Sequence, residues 1–136
     1  MKARGTFTVS NFKPTQLAPV PAISTAMPVG VSTMEKTYSG GIVGRSATIF
    51  TAAFDQASGV GSYVAMESFE GTIAGRTGTF NFLHSASTKG SDRSNEFIAI
   101  VEGSGTGGFS GISGAGQMTV DADGTHHLEF DFQIVG

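Results

Sequence analysis

Cysteine and tryptophan are both missing from this chain, and charged residues make up only 14% of it. Without cysteine there is no disulfide, no thiol nucleophile and no thiolate metal site. That fits a reducing compartment, and the expected location is cytoplasmic. Long apolar runs are missing too. No window approaches the ~18 apolar residues of a membrane helix, so no membrane partner is expected. Met1-Lys2-Ala3-Arg4-Gly5 leads straight into the alternating Thr6-Phe7-Thr8-Val9, which is not the pattern of a signal peptide. Net charge is −3 and the eight Lys and Arg are scattered. The basic footprint of a nucleic-acid binder is therefore lacking. The 136 residues are enough for one domain and one core, read here as a single domain over 1–136.

What is plentiful is glycine, at 20 residues, about twice the usual frequency of roughly 7%. Glycine weakens helices and marks turns, bulges and tightly coiled strands. Period-2 alternation recurs in almost every segment, and predicts strands near 4–12, 30–39, 45–56, 61–74, 77–88, 95–103, 109–121 and 125–135. Between them lie Gly40-Gly41, Ser58-Gly59, Gly75-Arg76, Lys89-Gly90-Ser91-Asp92 and Asp123-Gly124, the turn chemistry that hairpins need. No stretch holds a capped 3.6-residue period. The fold class that follows is all-β, a closed antiparallel barrel of about eight strands. The exception is 13–28, which holds all four prolines. It reads as an ordered strap with Leu17, Val20, Ile23 and Met27 packed on the barrel, or as a lid.

Three hairpins can be registered from the pattern. A two-residue turn at Gly75-Arg76 sets Gly71 against Phe80, Phe69 against Phe82 and Glu67 against His84. A turn at Ser58-Gly59 sets Phe54 against Tyr63 and Phe50 against Glu67. A three-residue loop at 123–125 sets Met118 against Phe130. The common inner face then carries Phe50, Phe54, Tyr63, Phe69, Phe80 and Phe82, which would form the walls of a ligand-binding lumen. In 30–39, either Met34, Lys36 and Tyr38 point inward, or Thr33, Glu35 and Thr37 do.

Glu67 and His84 form the sharpest chemical signal. Two ionisable groups on an aromatic face are costly to desolvate unless each satisfies the other. A carboxylate that orients an imidazole is also a common acid–base arrangement. They are the candidate catalytic pair, the alternative being a structural hydrogen bond. Lys36 and Tyr38, if inward, could bind a carboxylate or a developing oxyanion. The run Gly103-Ser104-Gly105-Thr106-Gly107-Gly108 matches G-x-G-x-x-G, but no helix or βαβ unit surrounds it, so it reads as a bent strand–turn–strand. His126 and His127 point to opposite faces of a strand, and no metal site or cofactor is expected. No serine has the setting of a nucleophile elbow.

Several stretches together resemble a known bacterial family. They are Lys36-Thr-Tyr-Ser-Gly40, Met66-Glu-Ser-Phe-Glu-Gly-Thr-Ile-Ala-Gly-Arg-Thr-Gly-Thr-Phe80, Leu83-His84, Gly103-Ser-Gly-Thr-Gly107 and Gly111-Ile-Ser-Gly-Ala-Gly116. The family is domain of unknown function 3224, and the resemblance runs from about residue 4 to 132. It implies a fold similar to the eight-stranded barrel of plant allene oxide cyclase, a lipid-converting enzyme that works inside a hydrophobic lumen and forms trimers. The analogy implies a homo-oligomer and transfers no site residue. The functional expectation is a barrel binding a small, largely apolar ligand in its lumen, with isomerase- or cyclase-type acid–base chemistry as an extension. The alternative is a filled structural barrel that serves as an assembly or protein-interaction module.

Overall fold

The alternating pattern becomes nine strands in a computed structural model that describes residues 1–135. They are β1 (Lys2–Pro14), β2 (Val29–Gly40), β3 (Ile42–Asp55), β4 (Val60–Ile73), β5 (Arg76–Lys89), β6 (Asp92–Ile100), β7 (Thr106–Gly107), β8 (Ile112–Val120) and β9 (His126–Ile134). None of the described residues is helical, and no helix is present that could cross a membrane. All pairings are antiparallel. Hydrogen bonding runs β1–β2–β3–β4–β5–β6–β8–β9 and returns to β1, a ring through eight strands, while the short β7 adds to β5. Apart from the closing β9–β1 pair, ring neighbours are also sequence neighbours, β7 aside, so short turns suffice for most connections.

Side chains of one parity point inward and are buried. In β5 these are Phe80, Phe82, His84 and Ala86; in β4 they are Ala65, Glu67, Phe69 and Ile73. In β2 the inward set is Met34, Lys36 and Tyr38, which settles the facing that alternation left open. One end of the ring is filled by aromatics. Phe80 has the rings of Phe69 and Phe109 at 5.1 Å and that of Phe130 at 5.7 Å, in tilted or edge-on contacts. Such contacts add to the roughly 2–3 kcal/mol that full burial of each ring supplies.

Phe109 comes from the glycine-rich connection, not from a strand. A Cβ at Gly105 would lie 1.8 Å from the Phe109 carbonyl oxygen. The G-x-G-x-x-G run therefore folds Phe109 over the end of the ring, in a space that only glycine leaves free.

The registers differ from those expected, all by two residues. The β4–β5 turn is Ala74-Gly75, both with positive φ, and it sets Phe69 against Phe80, Gly71 against Gly78 and Glu67 against Phe82. In β3–β4, Phe50 faces Ala65 and Thr48 faces Glu67; in β8–β9, Met118 faces Leu128. Pleat parity has period two, so a two-residue shift keeps every side chain on its face and changes only its partner. The expected opposition of Glu67 and His84 is thus corrected: His84 stands opposite Ala65. Gly71 makes room for a different ring than expected, since a Cβ there would meet Phe69 Cζ at 2.8 Å and the Val43 carbonyl oxygen at 2.1 Å.

The 13–28 segment, whose Lys13 and Pro14 end β1, lacks the packing expected of a strap. Leu17, Val20 and Ile23 are exposed, Val20 almost completely, and only Met27 is half-buried. The segment is tied down by Thr15, whose amide and hydroxyl both donate to the Val31 carbonyl oxygen at 2.9 and 2.7 Å.

Candidate functional site

Above the aromatic end, a layer of polar side chains crosses the interior. Glu67 is fully buried and its carboxylate accepts three hydrogen bonds: from Lys36 Nζ at 2.7 Å, Ser46 Oγ at 2.7 Å and Tyr38 Oη at 2.9 Å. Each donor sits on an inward position of β2 or β3, which the registers bring beside β4. Lys36 also lies 4.8 Å from the centre of the Phe7 ring. Burial, and then the Glu67 carboxylate beside it, pushes the Tyr38 hydroxyl far above its ordinary pKa, so it remains a donor. Lys36, Tyr38 and Glu67 are therefore brought together. His84 is not part of this group.

His84 belongs to a second cluster. Its Nε2 is 3.1 Å from the Tyr63 hydroxyl and 3.5 Å from Glu96 Oε2. Burial, followed by the positive charge of Lys36, lowers its pKa to about 4, so the ring is neutral at pH 7. Arg93 Nη2 donates to the Tyr63 hydroxyl and, at 3.3 Å, to Glu96 Oε2. The other Glu96 oxygen accepts the Met118 amide at 2.8 Å. That bond joins β6 to β8 where their ladder is reduced to the pairs at Ile98 and Ala99.

Arg93 and Glu96 were not recognised from sequence. In a regular strand, residues three apart point to opposite faces. Here β6 is bulged: Ser85 faces Phe97 but Ser87 faces Ser94, and Asn95 takes φ 53°. The extra residue reverses parity and brings both charges to the inner face. The available signal was Asn95 between the charged positions, because asparagine accepts left-handed backbone more readily than most residues.

Beyond this cluster lies a pocket of about 510 Å³ at the end of the ring opposite Phe109. Phe12, Phe50, Ala52, Phe54 and Tyr63 supply apolar wall, with Thr88 at one side. Phe50 and Tyr63 stack with ring centres 4.9 Å apart. Of the six aromatics expected to form walls, Phe50, Phe54 and Tyr63 line this pocket. Phe69, Phe80 and Phe82 are packed in the aromatic core, each 1% exposed. Neither Glu67 nor His84 is among the lining residues; Tyr63 stands between His84 and the pocket.

Two buried polar atoms lack a hydrogen-bond partner among the described residues, Thr48 Oγ1 and Arg93 Nε. His127 faces outward and its Nε2 is 2.6 Å from Asp121 Oδ2, at the end of the β8–β9 hairpin. Among the described residues no three His, Cys, Asp or Glu side chains stand together as a metal site.

Fold and site define an antiparallel all-β protein with a buried polar layer between an aromatic core and an open apolar pocket. The chain belongs to the family described as Protein of unknown function (DUF3224), whose model matches residues 3–132. A solved protein of unknown function from the DUF3224 family of Shewanella oneidensis MR-1 is similar to it. The two are 26% identical, with a TM-score of 0.80, over 100% of this chain and 98% of that one. No curated protein matches the chain.

Proposed function

We propose that the eight-strand ring acts as a barrel whose open end binds a small, largely apolar molecule. The observation that carries this reading is the concavity of about 510 Å³ faced by Phe12 and Phe54, both about half exposed. Aromatic side chains left accessible around a concave site, with a few polar groups at its edge, are the usual make-up of a small-molecule pocket. In this reading Glu67, with three donors already on its carboxylate, holds β2, β3 and β4 together beneath the site. Titration with the apolar fluorophore N-phenyl-1-naphthylamine tests it. Ala52 points into the pocket between Gly30 and Tyr63, and Ala52→Trp fills that space. Saturable binding by the wild type, lost in Ala52→Trp with little change in thermal stability, is expected. Absence of saturable binding, or equal binding by the variant, overturns the reading.

A second reading, assembly with another copy of the chain, is supported by the outer face. Ile49, Val64, Met66 and Phe97 are each about half exposed and lie on β3, β4 and β6. Leu83 on β5 bridges Met66 and Ala99. Together the four expose on the order of 450 Å² of apolar surface, within the roughly 300–600 Å² of a monomer's largest patch, which is often a functional one. Next to the Ile49–Met66 pair runs the Ala47–Ser68 pair, in a shallow groove bounded on its far side by the bonded Arg45–Glu70 pair. A two-fold arrangement lets the large pair of each copy enter the groove of the other. Sedimentation equilibrium at ~100 µM is expected to give a dimer or larger closed assembly, reduced to monomer by Met66→Lys. A monomeric wild type overturns it.

A further inference from the structure

Resting on the pocket reading, we propose that the bound molecule carries an oxygen acceptor, a carbonyl or carboxylate, and that Arg93 receives it. Arg93 is placed for this by the β6 bulge, which turns it inward opposite Thr88. Thr88 and Tyr63 both line the pocket. The Arg93 guanidinium carbon is 5.6 Å from the centre of the Tyr63 ring, and Nη2 donates to the Tyr63 hydroxyl. The guanidinium thus stands directly behind two lining side chains, within reach of a group that enters between them.

The hydrogen-bond inventory shows why an acceptor is called for. A guanidinium has five N–H donors in a fixed plane. In Arg93 one terminal nitrogen is used, on Tyr63 and Glu96, while Nε is buried without a partner. A buried charged donor left unmade is costly, and native proteins rarely leave one. Glu96 does not supply a bidentate pair, because its second oxygen is taken by the Met118 amide. If Arg93 served only to brace Tyr63, the terminal contact would suffice and an inward Nε would be a loss without return. A positively charged or purely hydrocarbon ligand leaves that donor unanswered. A planar oxygen acceptor answers it.

Three phenyl compounds of nearly equal length separate the possibilities: propiophenone, 3-phenylpropanoate and propylbenzene, each titrated by ligand-observed NMR. The wild type is expected to bind at least one of the two oxygen-bearing compounds about tenfold or more tighter than propylbenzene, the scale of a hydrogen bond to a charged group. Which of the two binds tighter identifies the acceptor as neutral or anionic. In Arg93→Met that preference should fall to within about twofold, with propylbenzene affinity unchanged, since a hydrocarbon makes no use of the donor. Equal binding of all three by the wild type, blocked by Ala52→Trp, overturns the role of Arg93 and leaves the pocket reading standing. No binding of any of the three, together with no binding of the fluorophore, overturns both. Retention of the full preference in Arg93→Met also overturns the proposal.

Discussion

Replacing Glu67 with alanine is expected to cost about 3–5 kcal/mol of stability, the range for removing one partner of a buried ion pair. That is a large share of the roughly 5–15 kcal/mol that holds a domain folded. The size follows from what is left behind. Lys36 is left without the carboxylate beside it, and Tyr38 and Ser46 each lose an acceptor in a site with almost no access to water. The double variant Lys36→Met/Glu67→Leu removes both charges and substitutes apolar volume, so it should be clearly more stable than Glu67→Ala alone. Urea unfolding of the two variants and the wild type measures this directly. Equal loss in single and double variants would show that the unpartnered Lys36 is not the source of the cost.

Acidification is expected to destabilise the protein before its carboxylates are titrated. The folded-state pKa of His84 is lowered to about 4 by burial and by Lys36, against about 6.5 in an unfolded chain. Between these values the unfolded state binds more protons than the folded one, so stability rises with pH across the window. The contribution of His84 is complete above about pH 6.5 and declines as pH falls toward 4. From pH 7.5 to 5 the loss is about 2 kcal/mol. His126, lowered in the same direction chiefly by burial, adds to it. Urea midpoints at the two pH values should therefore differ, and the difference should shrink in His84→Gln, which keeps a polar partner for Tyr63 but does not titrate. An unchanged pH dependence in that variant would remove His84 as its origin.

Much of this was legible in the residues. Alternation in β4 and β5 was enough to place Glu67, Phe69, Phe80, Phe82 and His84 on one face. It was not enough to pair them, because hydrophobic pattern repeats every two residues and is blind to a shift of two. Only turn geometry breaks that degeneracy. The Ala74-Gly75 turn places an alanine at positive φ, a choice that favours no obvious reading of the sequence. The same limit hid the partners of Glu67. Lys36 and Tyr38 were in view as inward candidates, yet their convergence with Ser46 depends on two registers at once. The packed strap expected over 13–28 failed for another reason. Its apolar residues suggested packing, but its backbone is held by Thr15 and its side chains remain exposed.

The bulge at Asn95 has a consequence for how the pocket could change over time. Arg93 and Glu96 share the inner face because one additional residue lies between them. Deleting that residue would leave both flanking segments in their ladders, with Arg93 still opposite Thr88 and, now two residues from Glu96, still on the inner face. The polar wall behind the pocket would keep both charges while β6 lost its local kink, with the rest of the ring undisturbed. The course of the strand behind the pocket is thus open to reshaping by a single-codon deletion, a route that requires no substitution at the binding surface itself.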